Sequence, residues 1–204
     1  MKLYFAPGAC SLSPHVVIHE AGLAARVAIE KVDLRGKRTA SGADYLTINP
    51  KGYVPALVLD DGTVLTEGPA IVQYLADLAP ASGLAPANGT VARYQLQSLL
   101  NFISSELHKA WGPLWNKSAS ADVIDAARTT IGRRFTDLEP ALATGPFLMG
   151  ECFTVADAYL FTVANWGQWT GLDIAQWPWI AAHHARVAER PAIKAAIAAE
   201  RAAK

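Results

Sequence analysis

The residue best suited to nucleophilic chemistry is Cys10, in residues 7–14 (PGACSLSP). An apolar run precedes it, and Ser13-Pro14 is typical of a helix start, so the thiol is expected at a helix N-terminus. There the helix dipole and the free N–H groups lower the pKa of a thiol and favour the thiolate, which is the nucleophile. The alternative is a buried thiol that packs as a small apolar side chain, the common fate of a free cysteine.

Cys10 and Ser13 form a C-x-x-S arrangement, which lacks the second thiol of a dithiol oxidoreductase. A single thiol can still attack a disulfide and form a mixed disulfide, which an external thiol then resolves. The second cysteine, Cys152, stands in an apolar setting before a later helix, and we interpret it as a structural residue of the core.

Residues 53–56 (YVPA) form a turn suited to binding an extended peptide. Pro55 stands directly before a strand-like run, a place where X-Pro bonds can be cis. The backbone of Val54 would then be available to pair with a peptide in the manner of an added strand. The alternative is the ordinary start of an edge strand.

Residues 66–69 (TEGP) form a second turn with binding potential. Glu67 can accept a hydrogen bond from an ammonium group, and Gly68 lets a ligand approach a helix N-terminus, where free N–H groups bind carboxylates. The alternative is a helix that simply begins with Thr66 as its N-cap.

The elements that must position these turns alternate between strand and helix over the first 80 residues. The order of a strand at 2–5, a helix from Ser13 and a strand at 26–33 predicts a right-handed crossover with parallel pairing. A hairpin is expected around Gly62. We place the first domain at 1–79, a Pro- and Gly-containing linker at 80–89 and an all-helical domain at 90–204. The candidate helices of this domain lie at 90–112, 121–143, 154–169, 176–188 and 191–202.

The composition excludes several classes of function. The 204 residues include 18 basic and 18 acidic side chains, so a nucleic-acid or polybasic membrane-surface protein is not expected. Two cysteines are too few for a disulfide scaffold, and the five histidines have no metal-site spacing. No apolar run is long enough for a membrane span, and the N-terminal run is too short for an export signal, so a cytoplasmic location is expected.

Several segments together resemble the cytosolic glutathione S-transferases. Residues 7–15, 49–55 and 65–77 match the family's ligand-binding loops, and the cysteine in the first makes the chain similar to the bacterial beta class in particular. Residues 101–109 (NFISSELHK) resemble the helix that faces this cysteine in that class. Residues 153–161 (FTVADAYLF) resemble the N-capping box before the family's buried core helix.

The resemblance implies an α/β thioredoxin-like N-terminal domain followed by an all-α C-terminal helical domain, usually in a homodimer. It implies glutathione as the cosubstrate and no metal. The implied activity is conjugation of glutathione to a small apolar electrophile, as in detoxification, with thiol–disulfide exchange through Cys10 as an additional activity. A non-catalytic ligandin-like carrier or a regulatory binder with the same fold is the alternative.

The resemblance also implies which residues of the first domain contact glutathione. Cys10 would meet the glutathione sulfur, and the Val54 backbone, held by cis-Pro55, would pair with the cysteinyl part. Glu67 and Gly68 would hold the γ-glutamyl end. Lys37, in residues 33–38 (DLRGKR), would contact a carboxylate of the ligand.

From the helical domain the resemblance implies Asn101, Ser105 and His108. His108 would act as a hydrogen-bond donor or a proton shuttle, because an unperturbed histidine titrates near neutral pH. Tyr4 is the alternative catalytic group, since other classes of the family use a tyrosine, and we expect it to be secondary to Cys10.

Overall fold

The computed structural model describes residues 1–203, which divide into two compact units. The first unit comprises Met1–Ala85 and the segment that starts at Glu189, and the second comprises Pro86–Ala188. The division expected from composition placed the C-terminal segment with the second half. In the structure its helix belongs to the first unit because it packs along the first helix of the chain.

The first unit contains a five-stranded mixed sheet. Its strands are β1 (Lys2–Phe5), β2 (Ala28–Asp33), β3 (Arg38–Thr39), β4 (Ala56–Val58) and β5 (Val64–Thr66), in the order β3-β2-β1-β4-β5. β1 and β2 are parallel, which confirms the predicted crossover, and the other neighbouring strands are antiparallel. β4 and β5 form the predicted hairpin, with Gly62 at a φ of 85°.

Three α-helices complete this unit: α1 (Leu12–Glu20), α2 (Gly68–Asp77) and, from the C-terminal segment, α9 (Pro191–Ala202). All residues of α1 from Leu12 to Ile18 are buried, because α1 packs against both α2 and α9. Gly22, with a φ of 67°, follows the helix end, where a left-handed residue is favoured.

The second unit is helical. Its elements are α3 (Val91–Phe102), a π-helix (Ile103–His108), α4 (Gly112–Trp115), α5 (Ala121–Thr144), α6 (Val155–Ala164), α7 (Gly167–Thr170) and α8 (Pro178–Ala188). Every residue of α6 is buried, and its first turn has the expected capping box between Thr154 and Asp157. The predicted single helices at 90–112 and 154–169 were wrong: the first contains the π-helix, and the second is interrupted after Ala164.

Within residues 1–203, no helix combines the length and the apolar character needed to cross a membrane.

Candidate functional site

Cys10 lies in the turn between β1 and α1, next to Ser11, the N-cap residue of the helix. The prediction of Ser13 as N-cap was wrong: Ser13 is inside the helix, and its Oγ donates to the Cys10 carbonyl at 3.0 Å. The Ser11 Oγ accepts from the Ala6 N–H at 3.1 Å and donates to the Ala6 carbonyl at 3.2 Å. These bonds close the turn that holds Cys10.

The thiol of Cys10 donates to the Val54 carbonyl, with 3.2 Å between Sγ and the oxygen. Burial raises the pKa of this thiol to about 11, although the N–H groups of Cys10 and Ser11 act in the opposite direction. The expected lowering of the pKa was therefore wrong, because the loss of hydration outweighs the help from the helix start. In the free protein Cys10 is a neutral thiol at pH 7.

The Val54–Pro55 peptide bond is cis, as expected. The loop before it is held through the Tyr53 carbonyl, which accepts from the Asn49 Nδ2 and from the Tyr45 hydroxyl, both at 2.8 Å. Asn49 and Tyr45 are buried, so their hydrogen bonds hold the backbone at Tyr53, next to Val54, in place.

Glu67 occupies the N-cap position of α2, so the alternative of Thr66 as N-cap does not apply, because Thr66 ends β5. The φ of Glu67 is 69°, a left-handed conformation that is uncommon for this residue type. Its carboxylate is exposed and forms an ion pair with the Lys51 ammonium at 3.0 Å. A side chain added at Gly68 would meet nothing within 4 Å, so there is open space at the helix start.

Lys37 also has a left-handed backbone, with a φ of 52°. Its ammonium donates to the Gly52 carbonyl at 2.9 Å, in the loop that leads to Val54. Lys51 was not singled out from the sequence, although it lies in the segment 49–55 that had been compared with the family. The signal available was its basic charge in a ligand-binding loop.

Glu200 of α9 is a second residue that the sequence did not reveal. Its buried carboxylate accepts from the Gly8 N–H at 2.8 Å and lies 3.2 Å from the His15 Nδ1. Gly8 belongs to the turn of Cys10, and His15 belongs to α1. Glu200 lies in an alanine-rich helix, 185 residues after His15 in the chain. No local sequence pattern therefore predicts the contact between Glu200 and His15.

Tyr4 is 7% exposed and belongs to an apolar cluster of the first unit. Its ring packs on Tyr45, with 5.6 Å between the ring centroids, and the cluster includes Val54. Tyr4 therefore packs in the apolar core beside the residue that precedes Pro55.

The candidate residues of the second unit lie where α3 passes into the π-helix. Asn101 is in the last turn of α3, and its carbonyl accepts from the Ser105 Oγ at 2.9 Å. His108 ends the π-helix. Such elements are rare in proteins overall, but where they occur they often lie at functional sites. The Nδ1 of His108 lies 2.6 Å from the Tyr159 hydroxyl of α6. Burial, and then the charge of Lys109, lowers the pKa of His108 to about 4.

Aromatic rings surround His108. The Trp166 ring meets the His108 ring edge-on, with 4.8 Å between the centroids. The ring centroids of Trp111 and Trp115 each lie 6.0 Å from that of Trp166. Trp111 is fully buried, whereas Trp115 is 48% exposed, so this cluster reaches the surface. Trp169 is 52% exposed.

The remaining expectations concern thiols and metals. Cys152 is exposed, so its interpretation as a core residue was wrong. Among the described residues 1–203, no group of three or more histidine, cysteine, aspartate or glutamate side chains is placed to hold a metal ion.

Family models match both halves of the chain. Residues 8–78 match the glutathione S-transferase N-terminal domain, and residues 102–191 match the C-terminal domain of the same family. The chain is 42% identical to the glutathione S-transferase GstA of Escherichia coli O157:H7 over 200 residues, which cover 98% of each chain.

Solved structures agree with this. A sphingomonad glutathione S-transferase complexed with glutathione has a TM-score of 0.94 at 45% identity, covering 98% of this chain and 99% of that one. The bacterial beta-class enzyme of Sphingomonas chungbukensis has a TM-score of 0.93 at 44% identity, covering 98% of each.

Proposed function

Because the chain belongs to the glutathione S-transferase family, with bacterial beta-class members among its structural relatives, we propose that it conjugates glutathione to small apolar electrophiles. The observation that carries the proposal is the position of the Cys10 thiol, 3.2 Å from the Val54 carbonyl beside cis-Pro55. A thiol next to a cis-proline turn suited to peptide pairing is an arrangement that fits a cysteine-containing tripeptide.

We assign the binding of glutathione to the loops of the first unit. The Val54 backbone at Pro55 would pair with the cysteinyl part, and Glu67 with Gly68 would hold the γ-glutamyl end. The exposure of the Glu67–Lys51 ion pair supports this, because such a pair contributes little and can be exchanged for the ligand's ammonium group. Lys37 uses one donor on Gly52, and its ammonium has two more for a carboxylate.

The catalytic roles follow from the charge states of the candidate groups. Cys10 is a neutral thiol at pH 7. When glutathione binds, the single S–H of Cys10 would turn from the Val54 carbonyl to the glutathione sulfur and favour the thiolate of the ligand. His108 is neutral as well and is the second catalytic group of the proposal. Asn101 and Ser105 would supply further polar contacts, and the apolar rings of Trp111, Trp115 and Trp166 support an apolar electrophile.

The test is the conjugation rate with a generic aryl halide, measured with glutathione titrations for the wild type, Cys10→Ala and His108→Ala. Loss of a positioned catalytic hydrogen bond is expected to lower kcat by about 10- to 100-fold in each variant. Cys152→Ala is the matched control, because its thiol is exposed and outside the proposed site. A wild type with neither turnover nor glutathione binding would overturn the proposal. Tight binding of apolar ligands without glutathione affinity would favour the non-catalytic carrier instead.

Thiol–disulfide exchange is a second candidate, supported by the free, half-buried thiol of Cys10. Its thiolate would attack oxidised glutathione, form the mixed disulfide and release one glutathione thiolate. Because Cys152 is an exposed thiol that can react as well, intact mass is measured in the Cys152→Ala background. After incubation with oxidised glutathione, Cys152→Ala should show a single adduct and the double variant Cys10→Ala/Cys152→Ala none. An unmodified Cys10 after incubation at high pH would exclude this activity.

We also propose a homodimer, as the resemblance implies, and light scattering coupled to size-exclusion chromatography would measure its mass. The domain boundaries at 79 and 90 and the cytoplasmic location stay predictions.

A further inference from the structure

The hydrogen bond between His108 and Tyr159 joins a half-buried imidazole to a buried hydroxyl in the second unit. The Tyr159 hydroxyl is 2.6 Å from the His108 Nδ1, and the two rings meet edge-on at 86°. Tyr159 is 3% exposed and lies in α6, whose residues are all buried. The hydroxyl is therefore held in place by the core of the unit.

The length of this bond favours one of its two atoms as the donor. An N–H donor holds its acceptor at about 2.7–3.2 Å, whereas an O–H donor reaches about 2.5–3.0 Å. At 2.6 Å the contact fits the hydroxyl of Tyr159 as the donor and the Nδ1 of His108 as the acceptor. A neutral imidazole that accepts at Nδ1 carries its hydrogen on Nε2.

We propose that Tyr159 is a positioning residue that fixes His108 as the Nε2–H tautomer, so that His108 acts only as a hydrogen-bond donor from Nε2. The inference rests on the proposed function for its catalytic consequence and on the His108–Tyr159 contact for the tautomer itself. It favours the donor role over the proton-shuttle role for His108, because the only lone pair of this tautomer, at Nδ1, is engaged by the Tyr159 hydroxyl and Nε2 has none to take a proton from the ligand.

The surroundings of His108 hold the ring in this orientation. The Trp166 ring packs edge-on against it at 4.8 Å between centroids, inclined by 67°. The π-helix places His108 at its last position, and this segment packs against both α5 and α6. Burial also disfavours the imidazolium, which would have to place a second N–H against the Tyr159 hydroxyl.

The tautomer can be measured directly in the full-length protein by imidazole ¹⁵N NMR at pH 7, with His108→Gln used to assign the signal. The wild type should show the Nε2–H pattern for His108. Tyr159→Phe should give a mixture of tautomers, while Tyr94→Phe, at an exposed position of α3, should leave the signal unchanged. An Nδ1–H pattern in the wild type, or no change in Tyr159→Phe, would overturn the proposal.

Kinetics then test the consequence for catalysis. Tyr159→Phe should lower kcat roughly tenfold, equal to about 1.4 kcal/mol, with the KM for glutathione unchanged. A raised KM with unchanged kcat would contradict a positioning role. If His108→Gln keeps full activity while the tautomer changes as expected, the catalytic role of His108 in the proposed function fails and the tautomer assignment stands.

Discussion

Burial shifts the pKa values of the candidate catalytic side chains in the two units in opposite directions, and both side chains are uncharged as a result. In the first unit burial raises the pKa of Cys10 to about 11, so the thiol keeps its proton at pH 7. In the second unit burial lowers the pKa of His108 to about 4, so the imidazole stays unprotonated. Both groups are neutral between these values. Desolvation disfavours the charged form of either group, and it decides both cases.

This comparison corrects the sequence-based view of Cys10. A helix N-terminus stabilises a thiolate, but its effect comes from a few N–H groups and falls off within the first turn. The N–H groups of Cys10 and Ser11 do act in this direction, and burial exceeds them. A neutral Cys10 matches a role as a donor to the glutathione sulfur better than a role as the attacking nucleophile.

The turn of Cys10 and the side chain of His108 are each held by a residue that is far away in the sequence. Glu200 binds the Gly8 N–H in the turn of Cys10, and Tyr159 binds His108 from 51 residues away. The first support is a buried carboxylate, and the second is a buried hydroxyl. Removing the carboxylate should cost more, because it takes an acceptor from the Gly8 N–H and leaves the buried imidazole of His15 without its carboxylate neighbour.

The largest expected effect is therefore that of Glu200→Ala in the first unit. It should lower the free energy of unfolding by about 3 kcal/mol, as expected for loss of one partner of a buried hydrogen-bonded pair. Urea denaturation would measure this. Glu189→Ala, which removes only the exposed pair with Lys194, should cost less than about 1 kcal/mol. Equal effects of the two substitutions would show that Glu200 does not support the Cys10 turn.

The alkylation of Cys10 by iodoacetamide should depend steeply on pH. Only the thiolate reacts, and its fraction rises tenfold per pH unit below the pKa, so the rate should increase about 100-fold from pH 7 to pH 9. Site-resolved mass spectrometry in Cys152→Ala would isolate the signal of Cys10. A rate that reaches a plateau near pH 7 would mean that the helix start outweighs burial, and the two units would then differ in the charge of their catalytic groups.

The parts of the fold that depend on local patterns could be predicted. Pro7-Gly8 and Ser13-Pro14 located the turn of Cys10 between β1 and α1, and the segment at Thr154 indicated the start of α6. The π-helix could not be predicted, because Ile103 and Leu107 have the same four-residue spacing that an α-helix gives to its buried positions.

The partners of the site residues were beyond local patterns. Glu200 and Tyr159 are recognised as partners only when distant helices are packed together. Glu200 stands in an alanine-rich segment, and the motif at 153–161 predicts a buried helix around Tyr159 but not its contact with His108. The pKa of Cys10 depends on burial in the same way. The sequence located the thiol correctly at a helix start, and the loss of hydration is set by the packing of Val54 and its neighbours.

As the pH falls, the stability contributed by the half-buried histidines of the second unit should be lost at a higher pH than the stability contributed by Glu30 of the first unit. Burial lowers the pKa of His108 and His184 to about 4, while the unfolded chain takes up these protons near pH 6.5, so stability is lost as the pH falls from 6.5 to 4. For Glu30, burial is outweighed by hydrogen bonds from Lys2 and Ser41, which lower its pKa to about 2, and its contribution is lost between pH 4.5 and 2.

Urea denaturation across pH 4–7 would separate these contributions. His184→Gln should reduce the loss of stability between pH 6.5 and 4, because one of the buried groups that resist protonation is gone. Glu30→Gln should leave the change over that upper window as it is in the wild type. His19 of the first unit also has a pKa lowered by burial, so His19→Gln is needed as a further variant in the same window. An unchanged slope in His184→Gln would contradict the expected burial of its neutral form.

The smallest expected effects come from the charges around Glu67. Its carboxylate raises the pKa of Cys10 as a minor contribution after burial, and Lys51 partly neutralises it. Glu67→Gln should therefore speed the alkylation of Cys10 by less than about threefold at fixed pH, and Lys51→Met should slow it by a similar factor. The opposite signs make the test sharp. Changes in the same direction would indicate a shift in the loop, and a tenfold gain in Glu67→Gln would mean that charge, more than burial, keeps Cys10 protonated.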